Sequence, residues 1–531
     1  MSSIPCDNLP IVTSAEVGPQ SGEATTEEQG SYGQILRSSA LVGGSTVLNI
    51  AVGIVRTKAM AILLGPAGFG LFGLYGSVSN LTQTLAGMGV NSSGVRQIAE
   101  AAGSGNAECI AQTTTVLRRV SVLLGLLGAA FLIVFSRQVS ITTFGDPKHA
   151  SEVALLSIAV FLTLVSLGQG ALIQGMRRID DLAKMNVIGP LTATVCSIPL
   201  VYVWREKGVV PALIAVAAMT LAASWWYSRK MRIPSRAISL VAMGRETAAL
   251  LKLGIAFMSS GLMTIGVAYV VRITVLRKVG YEATGLYQSA WTLGGLYVGF
   301  ILQAMAADFY PRLTEKAADN TACNRLVNEQ SQVGLLLAGP GVIATLTFAP
   351  LVIALFYSAR FDAAVPVLRW ICLGTVLQVI SWPMGFVIVA KAEQKLFFLC
   401  ELAWTVVSLA LAWICISMYG LTGAGIAFCG SYVFHIFLIY AVVRRLSNFR
   451  WTSENVRTGS LFLGAIAIVF CGFYVLPFFI AVSVGTIAVA ISSVYSIRVL
   501  MDLVSLDRAP RILRICLQRF KLIGSNTSSL D

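Results

Sequence analysis

Apolar runs long enough to cross a bilayer recur from Leu36 to Leu503, parted by short polar breaks. A hydrocarbon core of about 30 Å is crossed by about 20 apolar residues in helical form. Backbone groups in lipid must be satisfied within their own segment, so such runs are helices. The pattern predicts about 14 transmembrane helices, at 36–64, 69–98, 112–136, 151–176, 182–204, 208–228, 247–278, 284–309, 328–357, 363–390, 396–418, 421–443, 458–477 and 479–502. A membrane barrel would show strands of about ten residues alternating in polarity, and none is present. The fold class expected is an all-α polytopic membrane protein.

Composition supports lipid as the solvent. Of 531 residues, 56% are hydrophobic and 12% charged, about half the charged share usual in soluble domains. An even number of spans puts both termini on one side. With that side inside, the basic clusters Arg118-Arg119, Arg177-Arg178, Arg229-Lys230-Met231-Arg232, Arg444-Arg445 and Arg508 to Lys521 all fall there. The positive-inside rule then predicts cytoplasmic termini. The net charge of +14 is mostly this topological signal, and no basic patch with interleaved aromatics points to nucleic acid. Residues 1–35 carry Asp7, Glu16, Glu23, Glu27 and Glu28 but no Lys or Arg. They lack the basic start and short apolar core of a cleavable signal, and read as a disordered acidic cytoplasmic tail. The ten cysteines are scattered, without a CxxC pair, and read as small packing residues.

An internal repeat emerges at an offset of about 215 residues. Val55-Arg56 matches Val271-Arg272, Gly65 matches Gly280, Gly70-Leu71 matches Gly285-Leu286, Arg96 matches Arg312, and Ser166 matches Ser381. Each half holds six spans, so both enter the membrane in the same sense, as parallel repeats do. The expected organisation is a tail over 1–35, a six-helix lobe over 36–228, a basic linker over 229–246 and a second six-helix lobe over 247–443. Two further helices follow over 458–502, then a basic cytoplasmic tail over 503–531. Two pseudo-symmetric bundles of this kind are expected to meet at a central cleft where cargo binds.

Several chemistries lack their parts. Gly68 to Gly73 matches GxGxxG, but it lies between two spans and has no acidic residue about 20 positions on. No Gly-Lys dipeptide exists, so there is no Walker A loop. His149 and His435 stand far apart without metal-ligand spacing. No metal, cofactor or catalytic residue is expected, and no loop is long enough for a soluble catalytic domain.

Charge inside the membrane costs at least about 2.5 kcal/mol near a helix centre, so it marks function. Ser45, Asn49 and Arg56 share a face of the first span, and Arg272 sits at the matching place in the seventh with Tyr269 nearby. An arginine fork suits phosphate oxygens. Asn80, Gln83 and Asn91 form a polar stripe in the second span, and Gln288 and Gln303 belong to another in the eighth. Such stripes can face a wet cleft or bond neighbouring helices. Asp308 and Glu401 are the acids considered for ion coupling.

The stretch from Asn49 to Glu100, with Leu-Gly-Pro-x-Gly-x-Gly at Leu64 to Gly70 and Ser-Gly-Val-Arg at Ser93 to Arg96, resembles the start of Wzx-type O-antigen and polysaccharide translocases. Those belong to the multidrug/oligosaccharidyl-lipid/polysaccharide exporter superfamily. The resemblance implies a V-shaped pair of bundles with a cationic cavity in the bacterial inner membrane. It implies a flippase and not an enzyme, moving undecaprenyl-diphosphate-linked oligosaccharides from the cytoplasmic to the periplasmic leaflet by alternating access. It places cavity arginines at Arg56 and Arg272. The implied partners are the lipid-linked oligosaccharide, membrane lipids, and a polysaccharide polymerase with its chain-length machinery. An ion-coupled multidrug antiporter of the same fold is the alternative, weakened because the first span has no carboxylate. A membrane glycan-modifying enzyme is the more distant one.

Overall fold

The structure, a computed structural model, describes residues 24–233 and 240–503. It is all helical among these residues, and its helices run α1 (Ala24–Gly87), α2 (Val90–Gly103), α3 (Ala107–Val134), α4 (Ser136–Phe144), α5 (Ala150–Gly175), α6 (Ile179–Trp204), α7 (Val209–Arg229), α8 (Leu240–Val279), α9 (Tyr281–Glu315), α10 (Asn320–Thr347), α11 (Ala349–Phe356), α12 (Val365–Ala390), α13 (Gln394–Ser447), α14 (Ser453–Val475) and α15 (Phe478–Leu503). The tails expected at 1–35 and 503–531 lie largely outside the described residues. Helix α1 already begins at Ala24, and α8 at Leu240 takes up part of the expected linker.

Most of the expected spans lie in one of these helices to within a residue or two, while 69–98 runs over α1 and α2 and 328–357 over α10 and α11, and several are not separated by a loop. By length and hydropathy eight helical segments among the described residues qualify as crossings, or ten when two bent pairs are included. Three of the eight, Gly43–Gly87, Ile179–Arg229 and Gln394–Ser447, run to 45, 51 and 54 residues. Each holds two expected spans, and no loop parts them. Within α1 the backbone breaks at Gly65 (φ 66°, ψ −178°), and within α13 at Gly420 (φ 57°, ψ −135°). A single residue in a conformation that side chains resist does the work of a turn.

The chain divides into two compact units, Met1–Tyr269 and Val270–Asp531, the boundary falling inside α8. Backbone breaks recur at matched places in the two. Gly65 is answered by Gly280 (φ 112°, ψ 179°), which starts α9. Arg205 (φ 52°, ψ −129°), between α6 and α7, is answered by Gly420. Arg177 (φ 54°) is answered by Ala392 (φ 58°). Arg205 is an arginine in a region that favours glycine, and its Nη1 donates to the Leu63 carbonyl at 3.0 Å, pinning this turn to the break in α1. The matched serines both join helices: Ser166 on α5 donates to Ser224 on α7 at 3.1 Å, and Ser381 on α12 bonds His435 on α13 at 3.1 Å.

In the first unit, Val90, Ile98, Leu117, Val120 and Leu172 bury a core shared by α2, α3 and α5. Small residues set how closely these helices approach. A Cβ on Gly168 of α5 would overlap Ser121 of α3, and one on Gly175 would run into Ile98 of α2. In the second unit Phe309, Leu313, Val327, Met384, Val387 and Val443 form the corresponding core. Outside these cores the apolar residues continue: Val134 is 68% exposed, Val475 79% and Phe479 83%. Exposed apolar surface on this scale is expected where lipid is the surrounding phase.

The last two helices pack on α10. Gly339 and Gly485 form notches in this contact, filled by Phe462 and Thr347. A polar cluster closes the same region. Asn328 of α10 donates to the Asn324 and Arg450 carbonyls at 2.9 and 3.1 Å, and accepts from the Thr452 N–H at 3.0 Å and the Asn455 amide at 2.8 Å. Buried polar groups left without partners cost about 1–3 kcal/mol each. Asn328→Ala is therefore expected to destabilise the second unit by about 2–4 kcal/mol, while Asn324→Ala, at the rim of the cluster, costs less. Thermal unfolding in detergent checks this, and equal losses would deny Asn328 its central place.

Candidate functional site

In the first unit, the stretch of α1 after Gly65 carries a polar row toward its end. Asn80, Gln83, Thr84 and Gly87, joined by Asn91 and Ser92 of α2, line a cavity of about 340 Å³. The far wall comes from Ser121 and Leu124 of α3, Leu164 and Gly168 of α5, and Met258, Gly261 and Ile265 of α8. Spacing of i, i+3 and i+4 brings the α1 residues to one side. Gln83 donates to Ser79 Oγ at 2.7 Å, and Thr84 to the Asn80 carbonyl at 2.9 Å, while Asn80 is exposed. Ser121 Oγ is buried without a partner among the described residues, a hydroxyl available on the wall. The cavity thus offers amides and hydroxyls, without a charge, beside apolar side chains, a lining that suits sugar-like polyols.

Ser45, Asn49 and Arg56 occupy one face of α1 by spacing, but their surroundings differ. Ser45 is 5% exposed, Asn49 is exposed and Arg56 is half-buried. None of the three lines the 340 Å³ cavity. No carboxylate pairs with Arg56 among the described residues. Tyr269 on α8 shares a hydrogen bond of 2.6 Å with Thr143 of α4, which fastens it to the end of the first unit. Beside it, Tyr75 and His149 Nδ1 lie 2.9 Å apart. In the loop before α5, the Lys148 side chain and backbone N–H hold the Asp146 carboxyl below the usual carboxylate range.

In the second unit Arg272 belongs to a relay. Its Nε donates to Gln288 Oε1 at 2.6 Å, and Gln288 Nε2 donates to Thr292 Oγ1 at 3.2 Å. Thr292 in turn hydrogen-bonds the side chain of Tyr357, which is 1% exposed. Gln288 thereby fixes the plane of the guanidinium fork. Gln303, further along α9, is exposed and stands outside the relay. Asp308 is exposed as well and forms an i,i+4 ion pair with Arg312 at 2.9 Å. Glu401 on α13 is half-buried and has no hydrogen-bond partner among the described residues. It sits on the same helix as a cluster absent from the sequence-based expectation: Trp404, Tyr432 and His435, with ring centroids 5.7–6.0 Å apart. Those rings come from both sides of the Gly420 break, and a separation of about 30 residues carries no local periodic signal.

Comparison with known proteins gives a consistent picture. A family model described as "Polysaccharide biosynthesis protein" matches residues 59–366, more than half of the chain. The Lipid III flippase of Escherichia coli (strain K12) is 23% identical over 436 residues, covering 77% of this chain and 98% of that protein, and its Shigella flexneri counterpart matches equally. Among solved structures, the Lipid II flippase MurJ in an inward closed conformation gives a TM-score of 0.65 at 13% identity, covering 87% of this chain and 99% of that one. A multidrug resistance MATE family transporter of the MOP superfamily, inward-facing, gives 0.64 at 17% identity, covering 76% and 94%. The structural likenesses establish an all-α membrane fold like that of these two proteins, and the named relatives are flippases and transporters.

Proposed function

The chain belongs to the polysaccharide biosynthesis protein family, a multi-pass membrane flippase of lipid-linked oligosaccharide or polysaccharide precursors at the family level, and from that premise we propose its cargo and its working parts. The cargo is an undecaprenyl-diphosphate-linked oligosaccharide repeat unit. It passes from the cytoplasmic to the periplasmic leaflet of a bacterial inner membrane by alternating access, with both termini cytoplasmic, for use by a polysaccharide polymerase.

One observation carries this reading. Each unit holds an arginine at nearly the same place in the repeat, Arg56 nine residues before the Gly65 break and Arg272 eight residues before the Gly280 break. A guanidinium carried on a membrane helix suits an anionic partner, and a diphosphate supplies two negative groups that the fork binds in bidentate fashion. Asn80, Gln83 and Asn91 give the sugars hydrogen-bond partners, and the polyprenyl chain stays in lipid. Gln288 serves Arg272 as a positioning residue. Gln303, Ser45 and Asn49 are assigned to outer parts of the cargo path.

Transport of a radiolabelled undecaprenyl-diphosphate oligosaccharide in proteoliposomes, with and without an ion gradient, tests the reading. Protein-dependent movement between leaflets supports it. Export of a cationic dye with no oligosaccharide movement would replace it with the drug-antiporter reading. For coupling we favour Glu401 over Asp308, because Asp308 is exposed and already paired. Glu401→Gln is expected to flatten the dependence of transport on the gradient while leaving downhill movement in place, and an unaltered gradient dependence would remove Glu401 from that role.

A further inference from the structure

A second cavity, of about 440 Å³, lies in the first unit away from the polar row of α1. Its charged lining is entirely basic: Arg118 of α3, Arg229 at the end of α7 and Arg232 just beyond. Gln169 of α5, with Trp225 and Ser228 of α7, completes the polar and aromatic wall. No carboxylate lines it. Three guanidinium groups converging on one space repel one another, and they settle only when an anion lies among them.

Two buried polar atoms point the same way. Arg118 Nε and Gln169 Oε1 are both shielded from solvent and have no hydrogen-bond partner among the described residues, Gln169 being 9% exposed. An unmet donor and an unmet acceptor in one cavity call for a ligand with an acceptor and a donor of its own. A phosphate oxygen answers the first, and a hydroxyl answers the second. The Arg229 guanidinium lies over the Trp225 ring at 5.1 Å from its centroid, which fixes one fork in place and leaves its edge for oxygen.

The surroundings say where the anion comes from. Trp225 is 50% exposed and its neighbour Trp226 61%, on a helix end with Arg229 and Lys230. Exposed tryptophans followed by basic residues mark the depth of the head groups. Basic pockets between membrane helices on the cytoplasmic side are built to hold anionic head groups. We propose that this cavity binds the head group of an anionic glycerophospholipid of the phosphatidylglycerol kind. Arg118, Arg229 and Arg232 take the phosphate, and Gln169 accepts from a glycerol hydroxyl. The site belongs to the first unit alone, and it stands whichever cargo the protein carries.

The test is native mass spectrometry of the full chain released from micelles doped with phosphatidylglycerol, phosphatidylethanolamine or inorganic phosphate. The protein is expected to retain one phosphatidylglycerol per chain in preference to phosphatidylethanolamine. In the Arg118→Gln/Arg229→Gln variant retention should weaken by about 25-fold, about fivefold per arginine from roughly 1 kcal/mol each. The Arg118→Lys/Arg229→Lys variant, which keeps the charge, should retain more lipid than the glutamine pair. Size-exclusion profiles matching the unaltered protein show that both variants are folded. Equal retention of phosphatidylglycerol by the unaltered chain and the folded glutamine variant overturns the site. Equal retention of phosphatidylethanolamine overturns the preference for an anionic head group. Displacement of the lipid by an equal concentration of inorganic phosphate would overturn the lipid as ligand and assign the cavity to a soluble phosphate.

Discussion

Arg272→Ala is expected to lower oligosaccharide transport by about ten- to a hundredfold, the equivalent of the roughly 1.5–3 kcal/mol that a hydrogen bond to a charged group contributes. The fork is aimed by Gln288 at 2.6 Å, so position matters along with charge. Arg272→Lys keeps the charge but loses the planar fork, and it should fall between the unaltered protein and the alanine variant. Gln288→Leu frees the fork without removing it and should give a smaller loss than Arg272→Ala. Arg56→Ala should resemble Arg272→Ala, because the two stand within one residue of matched places in the repeat. Proteoliposome transport, normalised to the amount of inserted protein, separates these cases. Full transport by the Arg56→Ala/Arg272→Ala double variant would end the arginine reading.

The second large effect concerns stability. Gly89→Ala is expected to destabilise the first unit by about 2–5 kcal/mol. Two costs combine there. Gly89 has φ +67°, and a side chain in that region costs about 1–2 kcal/mol. Its Cβ would also meet the backbone of Gly254 on α8, an overpacking that costs about 1–3 kcal/mol because backbone cannot swing aside. Gly105 separates the two. It has φ +66° with open space around it, so Gly105→Ala should lose only the conformational part. Unfolding in detergent, followed by circular dichroism, compares them. Equal losses would mean that the close approach of α2 and α8 contributes nothing.

Much of the fold was legible because membrane helices announce themselves. A helix that must satisfy its own backbone and face lipid is written as a long apolar run, and the expected spans fall on helices, with 69–98 and 328–357 each running over two. What the apolar pattern left unmarked was how successive spans are joined. Gly65 and Gly420 were legible as glycines, but one residue with φ near +60° can bend the chain without any polar loop to mark it. The Arg205–Gly420 match was hidden for a related reason: the backbone conformation recurs while the residue type does not. In the candidate site, Asn80, Gln83 and Asn91 could be found by helical spacing. Ser121, Met258 and Gly261, on the opposite wall, could not, because they are small or apolar residues whose type does not set them apart from ordinary packing positions. Ser45 and Asn49 show a limit of face arithmetic. Two residues one turn apart share a direction, yet Ser45 is buried and Asn49 is exposed.

The cluster around Asn328 has a consequence for the order in which this chain is made. Its amide partners in α10 and at Asn455 are 127 residues apart, and at about 5–20 residues per second the ribosome needs roughly 6–25 seconds to deliver the second after the first. Throughout that interval α10 is in or near the membrane with an unmatched amide and an empty notch at Gly339, both of which lipid fills poorly. The nascent chain therefore waits in a state that an insertase or chaperone can hold, and α14, on arriving, ends that wait.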